Sequence, residues 1–523
     1  METALTPMDF LRRSNKLYPN RTAVIDNNKS FTYRQFFERC NRWSSALQKL
    51  GIHPQDRVAY IAPNTHAQLE SFYSVPQIGA IVVPINYRLA TEEFAYIINH
   101  SGARIVCVHS DYLDAVQSIR NQLPNVEHFV ALEGEKDNWL DYEKLVESTS
   151  DHFTPFPVHE LDLIAINYTS GTTARPKGVM ITHRNAYINI LGTLAHCHLS
   201  VDECYLWTLP MFHANGWTFV WTITACGGKH ICLRKVDAAN IFHLVKQEKV
   251  SLFCAAPTIL ISIANADESL RGNLPKGIRI LTAGAPPAPA TIERIEQEFG
   301  WELTQVYGLT ETSPFITICE PLPEHKQLTA YERAVVKARQ GVELISSGEL
   351  IVADDENNEV PHDGKTIGEI IARGNVIMKG YYNDPEATNT AIRDGWFHSG
   401  DAAVVHPDGY IEIRDRIKDV IISGGENISS VEVESVLLRH PSVLEVGVVG
   451  MPHEKWGESP HAFVVLRTGK SATEIELKEF VGQHIASFKK PQWVSFVNEL
   501  PKTATGKIQK YILRGGRTAI SKQ

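Results

Sequence analysis

Apolar and polar positions along the chain follow two rhythms. From Arg57, short apolar runs alternate with stretches of helical spacing. RVAYIAP reads as a buried strand, residues 68–77 as helix, IVVPINY as strand, residues 91–100 as helix and RIVCVHS as strand again. Strands alternating with helices predict βαβ units and a parallel sheet, and no repeat of solenoid period interrupts them. The rhythm changes after Asp401. YIEIRDR and DVIISGG are short and rich in turn residues, and LEVGVVGMP and HAFVVLR read as strands. Two helix starts with capping-box chemistry are expected, Ser429 with Glu432 and Ser471 with Glu474. The fold expected is α/β, with a large N-terminal region of mostly parallel sheets (residues 1–416) and a small α+β C-terminal domain (residues 417–523). The boundary is placed in RDRIKD, residues 414–419, which is charged and has no apolar periodicity.

Composition narrows the class. A chain of 523 residues exceeds one ordinary core, and 43% hydrophobic with 21% charged residues is the balance of a soluble globular protein. A net charge of −9 argues against a general binder of nucleic acid or anionic membrane, so an anionic ligand would need local donors. The eight cysteines are scattered without a C-x-x-C pair, which suits a reducing compartment. His196-Cys197-His198 with Cys204 fits none of the usual zinc spacings. No apolar run reaches membrane-spanning length, METALTPMDFLRRSNK lacks a hydrophobic signal core, and the ending Ser521-Lys522-Gln523 misses the peroxisomal Ser-Lys-Leu. The expectation is a cytoplasmic enzyme without an integral membrane segment. A homodimer is left open.

Four segments carry candidate chemistry. Tyr168-Thr169-Ser170-Gly171-Thr172-Thr173-Ala174-Arg175-Pro176-Lys177-Gly178 lies between the apolar runs LIAIN and VMIT, with Thr182 placed to cap a helix. Hydroxyls and glycine followed by a lysine can wrap a polyphosphate: backbone N–H groups approach the oxygens and Lys177 supplies charge. It is not the Walker pattern, since no Ser or Thr follows the lysine. In Gln305-Val306-Tyr307-Gly308-Leu309-Thr310-Glu311-Thr312, Tyr307 could stack on a flat base and Glu311 is a hard oxygen ligand suited to Mg2+. In Gly395-Trp396-Phe397-His398-Ser399-Gly400-Asp401, an aspartate at a strand end can accept from both ribose hydroxyls. Pro501-Lys502-Thr503-Ala504-Thr505-Gly506-Lys507-Ile508 brings a lysine near the C-terminus. Each segment alone also reads as something ordinary: a surface loop, a buried Tyr beside a solvated Glu, a turn, a solvated basic tail.

Taken together and in this order, the segments resemble the signature of the adenylate-forming superfamily, which includes acyl-CoA synthetases, luciferases and peptide-synthetase adenylation domains. The resemblance runs from about Asp9 to Gly515 and is closest to fatty-acyl-CoA synthetases. One departure is Ala174, where the family usually has glycine; it removes no donor.

The resemblance implies roles. ATP or AMP would be bound by Thr169, Ser170, Gly171, Thr172, Thr173 and Lys177 of the loop. Gly284, Ala285 and Pro286 would form the turn lining the adenine pocket, and Gln305, Tyr307, Gly308 and Thr310 the second segment. Asp401 and Arg416 would hold the ribose, with Arg416 also able to reach phosphate. Glu311 and Thr169 would hold Mg2+. Lys507 would be the catalytic lysine, with Thr310 and His213 completing the catalytic set. Within Met211-Phe212-His213-Ala214-Asn215-Gly216-Trp217, His213 would gate the thiol and Trp217 would wall the acyl pocket, which Gly308 also lines. Ser423, Gly424 and Gly425 would lie along the pantetheine arm of coenzyme A, and Lys418 would be the hinge of a mobile C-terminal domain.

The activity implied is an ATP-dependent acyl-CoA ligase that forms an acyl-AMP, releases pyrophosphate and makes the thioester. A medium- to long-chain fatty acid is the first expectation and a short-chain or aryl acid the second. The rivals are a kinase, which would release ADP, a non-catalytic nucleotide or acyl binder, and an oxidative luciferase-like activity sharing the first step.

Overall fold

The computed structural model describes residues 2–169, 175–284, 286–424, 426–502 and 508–515. Two sheets stand back to back. One has eight strands in the order Gly380–Tyr381, Lys177–Thr182, Leu163–Thr169, Ile81–Ile85, Arg57–Ile61, Ala103–Val108, His128–Ala131 and Leu140–Asp141. From Leu163–Thr169 to Leu140–Asp141 the pairings are parallel, while the Lys177–Thr182 hairpin and its neighbour Gly380–Tyr381 are antiparallel. The other has nine strands, running from Val342–Glu343 through Phe315–Ile318, Glu302–Gly308, Arg279–Thr282, Leu252–Ala255, Cys204–Trp207, Lys229–Cys232 and Thr22–Asp26 to Lys29–Thr32, with a parallel centre and antiparallel edges.

The period-two alternation of a strand explains the layering. Val58, Tyr60 and Val82 of one sheet join Tyr205, Trp207, Leu252 and Cys254 of the other in a shared central core. Their neighbours point the opposite way. Ala59, Ile61, Ile81 and Val83 pack under the outer helices of the first sheet, and Leu206, Ile231, Phe253 and Ile280 under those of the second. Strands buried on both faces read as the unbroken apolar runs seen in the sequence. The helices fall close to the expected places: His66–Ser74, extended by a 3-10 turn at Pro76–Ile78, and Thr91–Ser101.

A third sheet, antiparallel, combines Glu349–Ala353, Gly368–Arg373, Trp396–Val405, Ile392–Arg393 and Ile411–Arg416. The segment RDRIKD is therefore not a bare linker. Its first three residues complete the Ile411–Arg416 strand, and only Ile417–Asp419 forms a short 3-10 turn, with Ile417 and Lys418 exposed. The charges of Arg414–Arg416 mask a strand because the ladder, not apolar patterning, holds it, and Asp415 is buried with Ser430 N and Oγ as donors.

A fourth sheet follows, from Glu426–Ile428, Ile421–Ser423, Gly457–Leu466, Val443–His453 and Trp493–Phe496, packed with two helices around its own core of Ile421, Val433, Val448, Ala462, Val464, Leu477 and Val481. Ser429 caps the first helix, Ser430–Leu437, by accepting from Glu432 N, while the Glu432 carboxylate turns away to Lys489. The second helix starts two residues later than expected. Thr473 and Glu476 form the complete capping box of Glu474–His484, because Glu474 is spent on Val494 N and Lys478. No helix among the described residues is long and apolar enough to cross a membrane.

Candidate active site

The first segment hangs between the paired strands Leu163–Thr169 and Lys177–Thr182, with Thr169 opposite Lys177. Thr182 then caps the His183–His196 helix in a capping box with Asn185. Lys177 Nζ lies 5.1 Å from the ring centroid of Tyr381, whose strand pairs with Lys177–Thr182. The Tyr381 hydroxyl donates to Glu311 Oε1 at 2.8 Å, and Met378 N donates to the Glu311 carbonyl at 2.8 Å. Burial and then the Glu311 charge push the Tyr381 phenol well above its ordinary range, so it stays a neutral donor. Tyr381, in Gly380-Tyr381-Tyr382, was not singled out in the sequence; only pairing across the sheet brings it to Glu311.

The second segment ends the strand Glu302–Gly308. At Gly308 a Cβ would lie 1.8 Å from the Pro314 carbonyl oxygen, so only glycine admits the returning strand. Tyr307, buried, donates its hydroxyl to Asp401 Oδ2 at 2.7 Å. Asp401 is itself buried, opposite Arg416 in the third sheet, and Arg416 Nε sits 2.8 Å from Asp401 Oδ1. Arg416 Nη1 also donates to the Ser399 carbonyl, and Ser399 Oγ accepts from Asp401 N. The second and third segments and Arg416 thus meet on one carboxylate. Each Asp401 oxygen has one partner, and a carboxylate has about four acceptor positions in all, so room for further donors remains.

Beside this cluster run two buried polar atoms without partners: Thr282 Oγ1 and Gln305 Oε1, opposite one another on adjacent strands. Gly284, with φ of 95°, and Pro286 continue from Thr282. The Lys177–Thr182 strand packs on the 3-10 turn Thr310–Thr312, so Thr169, Lys177, Thr310, Glu311 and Tyr381 face one region. A cation, a carboxylate and hydroxyl oxygens are a donor set that could hold polyphosphate and a hard divalent metal. Among the described residues the one His/Cys/Asp/Glu cluster compact enough for a metal, Asp26, His66 and Glu133, is occupied by its own chain: the Arg234 guanidinium bridges Asp26 at 3.0 Å and Glu133 at 2.5 Å.

The PMFHANGW segment forms an unusual turn. Asn64 pins its approach, donating to the Trp207 and Leu209 carbonyls and accepting from Met211 N. Ala214, Asn215, Gly216, Trp217 and Thr218 then have φ of 38°, 47°, 55°, 54° and 64°, a run of left-handed backbone that costs non-glycine residues on the order of 1–2 kcal/mol each. At Gly216 a Cβ would meet the Trp207 ring at 2.4 Å. His213 is half-buried at the start of the turn, and Trp217 is buried edge-on to Phe315 with ring centroids 5.5 Å apart.

In the fourth sheet, Gly424 follows Ser423 and donates its N–H to the Trp456 carbonyl at 2.8 Å. The last described helix, Lys510–Arg514, is tied back to the junction: Lys510 Nζ sits 2.9 Å from Glu434, and Arg514 pairs with Asp419. Ser170, Gly171, Thr172, Thr173, Ala285, Gly425 and Lys507 lie outside the described residues.

Similar proteins match this chain over nearly its whole length. The 4-hydroxybutyrate–CoA ligase 2 of Metallosphaera sedula is 43% identical over 98% of this chain and 94% of its own length. The peroxisomal acetate/butyrate–CoA ligase of Arabidopsis thaliana is 42% identical over 98% and 94%. The crystal structure of an anthranilate CoA ligase in complex with anthranoyl-AMP superposes with a TM-score of 0.87 at 25% identity, covering 98% of each chain. The model of the AMP-binding enzyme family spans residues 11–382, which hold the loop, Tyr307, Glu311 and Tyr381, and that of the AMP-binding enzyme C-terminal domain spans 432–507. A carboxylate shared by Tyr307 and Arg416, beside a lysine-bearing loop, accordingly sits in a chain that belongs to the AMP-binding enzyme family.

Proposed function

We propose that the chain is an ATP-dependent, AMP-forming acid–CoA ligase acting on a short-chain carboxylic acid. The observation that carries it is Asp401, which joins Tyr307 and Arg416 in one buried cluster beside the unpaired Thr282 and Gln305 atoms. On this reading Asp401 accepts from the ribose hydroxyls and Tyr307 flanks the base. Lys177, Thr310 and the Ser170–Thr173 loop hold the phosphates.

Glu311 and Thr169 supply hard oxygens for Mg2+, which would offset charge on the phosphates when bound. The substrate carboxylate attacks the α-phosphorus and pyrophosphate leaves. Lys507 stabilises the charge that accumulates on the phosphate oxygens, and no general base is needed because the acid is already ionised. In the second half-reaction the coenzyme A thiol attacks the acyl carbon and AMP leaves. His213 lies on the thiol's path, and Ser423, Gly424 and Gly425 flank the pantetheine arm. The two half-reactions need different faces of the region after Lys418, since pyrophosphate must leave before the thiol enters.

The substrates in the names of two relatives support a short acid over the medium- to long-chain acid expected first: 4-hydroxybutyrate for the Metallosphaera enzyme and acetate or butyrate for the Arabidopsis one. A panel of carboxylic acids from acetate to palmitate, with benzoate and cinnamate, scored for AMP release with and without coenzyme A, tests the proposal. AMP with the two- to six-carbon acids is expected. ADP as product, or turnover confined to long chains, would overturn it.

A further inference from the structure

A cavity of about 10 Å³, the space of one water, has a mostly apolar wall that includes Ile181, Ala214 and Trp221, with a few polar groups set into it. Asn167 Nδ2 donates to the Phe212 carbonyl at 3.2 Å and to Asn215 Oδ1 at 3.0 Å. A carbonyl can only accept, so the amide nitrogen must face it and Asn167 Oδ1 is turned the other way. That oxygen is buried without a partner, and so is Ser313 Oγ. Asn167 is 2% and Ser313 4% exposed, and both line the cavity together with Asn215, Thr218, Thr310 and Trp221. Two unsatisfied buried polar atoms around a space of about 10 Å³ are costly unless something fills it that both donates and accepts. The methyl end of an alkyl chain does neither. A hydroxyl does both, and the space is its size.

We infer that the acid this enzyme prefers carries a hydroxyl group, held between Asn167 Oδ1 as acceptor and Ser313 Oγ as donor. The inference rests on the acid–CoA ligase reading above. Asn215 fixes the Asn167 amide through the left-handed turn, so the strained backbone of Ala214–Thr218 presents the cavity's polar groups. A site built to bond a hydroxyl rejects the analogue lacking it more strongly than an apolar pocket rejects an added group.

The test compares butyrate with its 2-, 3- and 4-hydroxy derivatives by kcat/KM, reading AMP release in the presence of coenzyme A. At least one hydroxy acid is expected to exceed butyrate by about tenfold or more. Ser313→Gly removes the hydroxyl and suits the φ of 63° at that position, so it should fold and narrow the ratio to within about threefold. Butyrate turned over as well as all three hydroxy acids, or a ratio unmoved by Ser313→Gly, overturns the inference and leaves the ligase standing: an ordered water would then fill the cavity. No AMP from any of the four acids, with AMP from longer ones, would instead sink the short-chain reading beneath it.

Discussion

Two of the buried polar clusters among the described residues are built differently. Under the first strand, Asp26, His66, Glu143, Arg39, Glu70, Arg234 and Glu133 form a continuous network in which each charged group faces an opposite one, with Arg234 Nε the one buried atom in it left without a hydrogen bond among the described residues. Arg39 grips Glu70, which also accepts from the Tyr142 hydroxyl, and His66 bridges Asp26 at 2.6 Å and Glu143 at 2.8 Å. In the candidate-site cluster Tyr307, Asp401 and Arg416 are likewise paired, but Thr282 Oγ1 and Gln305 Oε1 on the neighbouring strands are not, nor are Asn167 Oδ1 and Ser313 Oγ at the small cavity. A network whose charges answer one another serves as scaffold. Unpaired buried atoms grouped beside the signature residues are instead candidates for the partners of a ligand.

The comparison breaks hardest at Glu70. Its carboxylate is fully buried on Arg39, so Glu70→Ala should lower stability by about 3–5 kcal/mol, read by urea unfolding. Substrate preference should stay as it was; a change in the acid profile would make this network part of the site.

Next comes pH. Burial alone pushes the His66 imidazolium down, but the hydrogen bonds to Asp26 and Glu143 and the Glu70 charge outweigh it and hold the group at about 9. Its folded value thus lies above the unfolded one of about 6.5. That stabilisation is complete below about pH 6.5 and is lost as pH rises towards 9, on the order of 3 kcal/mol in all. Unfolding free energies between pH 6 and pH 10 should fall in the wild type and run flatter in His66→Gln. Parallel profiles would show that His66 is neutral in the fold.

Asp401→Ala should weaken ATP binding by about 1–3 kcal/mol, because Tyr307 and Arg416 lose their acceptor and the ribose its partner. Calorimetric titration with ATP measures it, and an unchanged affinity would refute the ribose assignment. The smallest effect sharpens the contrast most. Thr282→Val replaces an unpaired hydroxyl with a methyl, so stability should hold or rise by up to about 1 kcal/mol while AMP binding weakens. Loss of stability with unchanged AMP affinity would put Thr282 with the scaffold.

Much of this was legible along the chain because its causes are local. The βαβ rhythm follows from alternation and helical spacing, and Thr182 and Ser429 cap because their oxygens reach N–H groups three residues away. The four signature segments each carried suitable residue types, but only their joint order and the family resemblance set them apart from ordinary loops and turns. Where local cues competed, they misled: Ser471 and Glu474 had the right spacing, but Glu474 found better partners in Val494 and Lys478. The charges of RDRIKD likewise concealed a strand edge that only its neighbour at Trp396–Val405 defines.

By itself, then, the sequence determined the α/β class, the order of its elements and the residue types able to meet a nucleotide, since each depends on neighbours a few positions away. Only the tertiary structure decided which of those residues meet. Tyr307 and Asp401 are 94 residues apart, and Glu311 and Tyr381 are 70 apart. Such pairs depend on how strands order themselves in a sheet, which is settled by the burial of whole faces and not by any local pattern. The same holds for the left-handed turn at Ala214–Thr218 and for the unpaired Asn167 and Ser313 oxygens. Whether a buried polar atom has a partner is a property of the packed surroundings, and no single stretch of chain contains them.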